Sequence, residues 1–204
     1  GATLIAACGG GGGGSDATGT LRLSLTDAPA CGYDNVWVTV EKVRVHRSDS
    51  AAENDGGWSE VVLAAPQRID LLDYTNGNLL PLGETQLPSG TYTQMRLVLA
   101  ANGSTAPYAN AIQPSGGNET ALDTPSGQQS GLKFNVNMVV PANQVANFVL
   151  DFDACRSFVR AGNSGKYLLK PVISVIPVLS DAGQRIVGFV DPSLANGNTL
   201  VSAQ

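Results

Sequence analysis

Apolar and polar residues alternate with a period of two along most of the chain, which predicts strands. Leu21, Leu23 and Leu25 alternate with Arg22 and Ser24, leaving one face to bury. The clearest run is 36–46, where Val36, Val38 and Val40 lie on one side and Trp37, Thr39 and Glu41 on the other. Val43 and Val45 then alternate with Lys42, Arg44 and His46. The apolar parity therefore switches between Val40 and Val43, which predicts a bulge near Glu41. In 91–100, Tyr92, Gln94, Arg96 and Val98 fall on one face and Thr93, Met95, Leu97 and Leu99 on the other. Residues 58–63, 69–74, 132–140, 145–152 and 167–179 supply further strand-like segments, and Pro171 and Pro177 place the last one at a sheet edge or across a bulge. Thr75-Asn76-Gly77-Asn78 and Pro88-Ser89-Gly90 read as turns. The stretch 102–131 is polar and rich in Gly, Pro and Ser, and reads as a functional loop or a partly ordered excursion. No segment sustains a 3.6-residue period. Strands separated by turn signals predict an all-β fold, an antiparallel β-sandwich.

Composition narrows the class. The chain has 204 residues, 43% hydrophobic and 14% charged, which is enough to bury a core and excludes a disordered tail. No apolar run reaches the roughly 18 residues that a spanning helix needs. A net charge of -5 argues against nucleic acid and against an anionic membrane surface as partners. The single histidine, His46, removes most histidine-based catalysis.

The N-terminal stretch admits two readings. Ile5-Ala6-Ala7-Cys8 resembles the lipobox of bacterial lipoproteins, with Cys8 the acylated residue and Gly9, in place of Asp, implying outer-membrane sorting. In that reading the preceding residues belong to a signal peptide. In the other, Ala2, Leu4, Ile5 and Ala6 form an apolar strand donated to a neighbouring subunit, a form of β-augmentation. Gly9, Gly10, Gly11, Gly12, Gly13 and Gly14 would be its hinge. In an exported protein the two remaining cysteines, Cys31 and Cys155, suggest one disulfide. The chain thus divides into a leader and hinge (1–17), a sandwich (18–180) and a C-terminal piece (181–204). In the C-terminal piece, 184–190 and 199–203 read as a final hairpin or the start of a second β domain.

Several stretches carry a family resemblance. They include Leu25-Thr26-Asp27-Ala28-Pro29, Val36-Trp37-Val38-Thr39-Val40, Val43-Arg44-Val45-His46 and Ile69-Asp70-Leu71-Leu72. Further on stand Gly90-Thr91-Tyr92-Thr93-Gln94-Met95-Arg96-Leu97, Ser130-Gly131-Leu132-Lys133, Leu150-Asp151-Phe152-Asp153 and Gly165-Lys166-Tyr167-Leu168-Leu169-Lys170-Pro171. From about residue 18 to 177 the sequence resembles the DUF4382 family of exported bacterial lipoproteins. The resemblance implies an Ig- or transthyretin-like β-sandwich, with a carboxypeptidase-regulatory-like β domain beginning near Arg185. It implies no activity.

Candidate chemistry is sparse. Asp151 and Asp153 stand at i and i+2, on one face of a strand, so they need a cation or a basic partner. Ca²⁺ is the metal that suits an exported carboxylate site, with Asp27, Asp34, Asp70 and Asp73 as further oxygen donors. The competing reading pairs the two with Arg96, Lys133 or Lys170. Trp37 and Trp58 read as core plugs or as a sugar-stacking surface, and Asn102 and Asn118 head glycosylation sequons that suit polar loops. His46 reads as solvated or weakly paired, and there is no Gly-x-Ser-x-Gly elbow. The expectation is a non-enzymatic cell-surface structural protein, exported and self-assembling into a fibre or matrix by strand donation between copies. The alternative is an outer-membrane lipoprotein, touching the membrane only through a lipid on Cys8, that binds Ca²⁺ or a glycan.

Overall fold

The computed structural model describes residues 17–28, 32–124, 130–162 and 165–178. The candidate donor segment, the glycine hinge, Cys8, Cys31 and the C-terminal piece lie outside the described residues. Twelve strands are described: β1 (Thr18–Asp27), β2 (Tyr33–His46), β3 (Ser59–Asp70), β4 (Leu80–Pro88), β5 (Gly90–Leu99), β6 (Ala111–Pro114), β7 (Thr120–Asp123), β8 (Leu132–Val140), β9 (Val145–Phe152), β10 (Phe158–Ala161), β11 (Lys166–Leu169) and β12 (Ile173–Val178). Short 3-10 turns at Leu71–Tyr74 and Ala154–Arg156 follow β3 and β9.

The strands form two sheets packed face to face, so the expected sandwich is present. The smaller sheet runs β12-β9-β1-β4. The larger runs β10-β11-β7-β6-β2-β5-β8, with β3 on the other side of β2. Both sheets are mixed, which corrects the antiparallel expectation. β1 lies parallel to β9, with Asp27 opposite Phe152, and β11 lies parallel to β7. Periodicity marks where a strand is buried but does not distinguish a parallel from an antiparallel neighbour.

Alternation produces the core. Leu21, Leu23 and Leu25 of β1 are fully buried, as are Val36, Val38 and Val40 of β2. Each such side chain contributes roughly 1.5–3 kcal/mol by leaving water. A one-residue slip would turn all of them outward, so register is tightly specified. The predicted bulge is present: the pairing of β2 with both β3 and β5 shifts register between Val40 and Lys42. Val43 and Val45 therefore return to the core.

A second register shift, between Tyr92 and Gln94 against β8, splits the face expected for β5. Tyr92 joins Met95, Leu97 and Leu99 in the core. Gln94 and Arg96 take the outer face, opposite His46 and Arg44 of β2. The expected strand at 167–179 is two strands in different sheets, with Pro171 in the crossover. Pro177 lies in edge strand β12, opposite Phe148. Asp153 N–H donates to Val172 O (2.9 Å), which fixes the alternation and turns the ring nitrogen of Pro177 outward. The polar stretch 102–131 contains β6 and β7 and is not a plain loop.

Candidate functional site

The outer face of β5 is where polar chemistry concentrates. Across the larger sheet, Glu60, Arg44, Arg96 and Lys133 stand in one row, each opposite the next on β3, β2, β5 and β8. Like charges directly opposite one another are unfavourable unless compensated. Glu60 compensates one end, meeting Arg44 Nε at 3.0 Å and Lys42 Nζ at 3.0 Å. Arg96 is 6% exposed and has no carboxylate within ion-pair distance among the described residues. Its guanidinium donates instead to Ala51 O and Ser130 O, both at 3.0 Å, and its Nε has no partner among the described residues.

Residues 48–58 roof this face. Gln94 Nε2 donates to Ala51 O (3.2 Å), Arg44 to Glu53 O (3.1 Å) and Trp58 Nε1 to Ala52 O (3.0 Å). The Trp58 ring takes Arg44 at 4.6 Å and Arg96 at 5.1 Å, and His46 stacks beside it at 5.0 Å. His46 accepts from Ser48 N–H at Nδ1 (2.9 Å) and meets Gly56 O at Nε2 (3.0 Å). Both ring nitrogens thus have backbone partners. His46 is therefore part of the roof, half-buried and paired with backbone groups.

Beside Arg96 opens a cleft of about 520 Å³ between the start of β8 and the β11–β12 crossover. Arg96, Lys133 and Lys170 line it, together with Ser130, Gly131 and Pro171. Gly131 has φ +80°, and a Cβ there would stand 3.1 Å from Arg96 Cβ and 3.2 Å from Leu97 O. Glycine lets the chain press against β5 at the cleft wall.

A carboxylate group sits elsewhere, where β1 and β9 end. Asp27 is 4% exposed. Its Oδ1 accepts Ala154 N–H at 2.9 Å and its Oδ2 has no hydrogen-bond partner among the described residues. Burial pushes its carboxyl up to about 7; the Ala154 and Ala28 N–H groups offset this only in part, and the carboxylates of Asp153 and Asp151 add to it. Asp151 is raised too, by burial and by Asp153.

The two candidate metal ligands are thus not a strand-face pair. Asp151 is in β9, whereas Asp153 has left the strand and caps the following turn, accepting Arg156 N–H at 3.1 Å. The ion pair at Asp153 is with Arg156, not with Arg96, Lys133 or Lys170. Among the described residues no three His, Cys, Asp or Glu side chains are grouped to hold a metal. Of the further oxygen donors, Asp70 accepts Val36 N–H, Leu72 N–H and Asn35 Nδ2, and Asp34 accepts Gly116 N–H. Arg68 lies 4.1 Å from the Trp37 ring, on a face that a sugar would need. Asn102 donates to Asn110 O and Leu122 O, so this sequon asparagine is a structural tie. The cationic row and the isolation of Asp27 escape sequence reading because both depend on which residues stand opposite or beside one another across strands.

The fold and its surface define a β-sandwich of two mixed sheets with a basic cleft at one corner. Residues 18–171 match the model of the family described as Domain of unknown function (DUF4382), and the chain belongs to that family. Comparison with curated proteins returns no match, and neither does comparison with solved structures.

Proposed function

We propose that the chain is a non-enzymatic, exported structural protein of the cell surface, whose copies join by donating an N-terminal strand. One observation carries the reading, an open seam between edge strands β8 and β12. β8 pairs only with β5 among the described strands, and its nine residues contain no proline. Its inward-facing Phe134 and Val136 are only partly buried, as are Ile173 and Val175 of β12. A neighbour's strand laid along β8 would complete the backbone hydrogen bonds and cover these side chains. Ala2, Leu4 and Ala6 supply its apolar face with Ile5 flanking, and the glycine hinge supplies the reach. The outward-turned Pro177 removes one donor from the β12 edge, so β8 is the better acceptor.

A bridge between Cys31 and Cys155 belongs to the same reading. Ala28 N–H donates to Phe152 O (2.9 Å), and the two parallel strands end side by side. Cys31 and Cys155 each follow three residues later in the sequence, so a bridge between them would tie the chain just past this pairing.

Electron microscopy and sedimentation of native material test the proposal. The full chain should form elongated oligomers. Leu4→Asp should leave monomers with thermal unfolding unchanged, and Val136→Lys should also leave monomers but with a lowered melting temperature, because Val136 packs against the core as well. Native protein beginning at a diacylated Cys8, or assembly untouched by both substitutions, would overturn it.

A further inference from the structure

We propose that the cleft beside Arg96 binds an oxyanion, a carboxylate or phosphate carried by a small ligand. The chain holds 17 acidic and 12 basic residues, yet this cleft gathers Arg96, Lys133 and Lys170 with no carboxylate on its walls. A buried cation is tolerated when it is paired and hydrogen-bonded. The nearest acid in the row, Glu60, is already shared by Arg44 and Lys42. Among the described residues Arg96 is left with two carbonyls, an aromatic ring and an Nε that has no hydrogen-bond partner. Lys133 stands directly opposite it in the β5–β8 pairing, a like-charge neighbour that an anion would reconcile.

The geometry also suits binding. Arg96 is fixed from the roof side by Ala51 and Trp58 and from the cleft side by Ser130. Its planar guanidinium is therefore already oriented, which lowers the entropy lost on binding. Lys133 and Lys170 are exposed at the rim, free to swing onto an arriving charge. The site favours an anion over a neutral sugar because its walls offer donors and positive charge in excess of acceptors.

Titration calorimetry of the full chain with inorganic phosphate and, separately, D-glucuronate tests the inference, with D-glucose as the neutral control. At least one anion should bind saturably, more weakly at higher salt, and glucose should not. Phosphate alone would identify a phosphate-type ligand, and glucuronate alone an acidic sugar. The double variant Lys133→Gln/Lys170→Gln, altered only at exposed positions, should bind about tenfold or more weakly with its melting temperature unchanged. Saturation by neither anion, or equal affinity in the double variant, would overturn the proposal. Repeating the titration on Leu4→Asp separates it from strand donation, because the cleft should bind whether or not the chain assembles.

Discussion

At the residue scale, Asp27 makes the sharpest prediction. Its folded carboxyl sits near 7 against an ordinary value of 3.8. Between those values the native state holds a proton that the unfolded state has lost. Stability from this group is therefore full below about pH 4, falls as pH rises towards 7, and is flat above that. The half-buried Asp151, also raised, acts in the same direction. The span corresponds to a few kcal/mol at most, on the order of 1.4 per unit. Asp27→Asn keeps an acceptor for Ala154 N–H and abolishes the titration. Chemical denaturation at several pH values should show the wild-type chain losing stability between pH 4 and 7. The variant should lose less over that window, the remaining decline coming from Asp151, and be the more stable of the two at pH 8. A wild-type curve that rises with pH would contradict the assignment. In the sequence, Asp27 continues the parity of Leu21, Leu23 and Leu25 and so falls on the face to be buried, but nothing local shows which groups would surround its carboxyl. Its environment comes from Ala154, 127 positions away.

At the element scale, legibility divides by kind of signal. β1, β2, β8 and β9 follow their alternation almost to the residue, and the bulge at Glu41 was readable because a parity break is a local event. β4 and the pair β6 and β7 were not, because Pro81, Gly83 and Pro114 interrupt any period. Those weak strands are held by side chains instead. Asn110, fully buried, accepts Thr39 N–H (3.1 Å), donates to Ala100 O (2.7 Å) and receives Asn102 at its own backbone. It splices the stretch after β5 onto the middle of β2, where the bulge breaks the ladder. Asn110→Ala would strand the Thr39 N–H and the Ala100 carbonyl in the interior. Each unsatisfied group costs about 1–3 kcal/mol. Urea unfolding should therefore show a loss of about 2–5 kcal/mol, with amide exchange fastest in β6 and β7. A loss below 1 kcal/mol would mean that water replaces the asparagine.

At the scale of the whole molecule, the parallel pairing of β1 with β9 decides the architecture. It joins the first strand of the matched family region to one more than a hundred residues later and places β1 inside the smaller sheet. No sequence period announces such a contact, which is why the sandwich was legible and its mixed topology was not. Closing so long a loop is entropically slow and expensive. The proposed Cys31–Cys155 bridge would link the chain just beyond this pairing in sequence, closing a loop of more than a hundred residues in the unfolded chain. In the chain-entropy picture, closing a loop of that length contributes roughly 4–5 kcal/mol, acting mainly on the unfolded state. The Cys31→Ser/Cys155→Ser variant should then lose about that much in denaturant titration, with its near-ultraviolet circular dichroism unchanged. Its unfolding slope in denaturant should rise, since a chain freed of the bridge exposes more surface. Equal stability in the variant, or alkylation of Cys31 and Cys155 in unreduced protein, would rule out the bridge. The sandwich would then be held by non-covalent contacts, the β1–β9 ladder together with the apolar core shared by the two sheets.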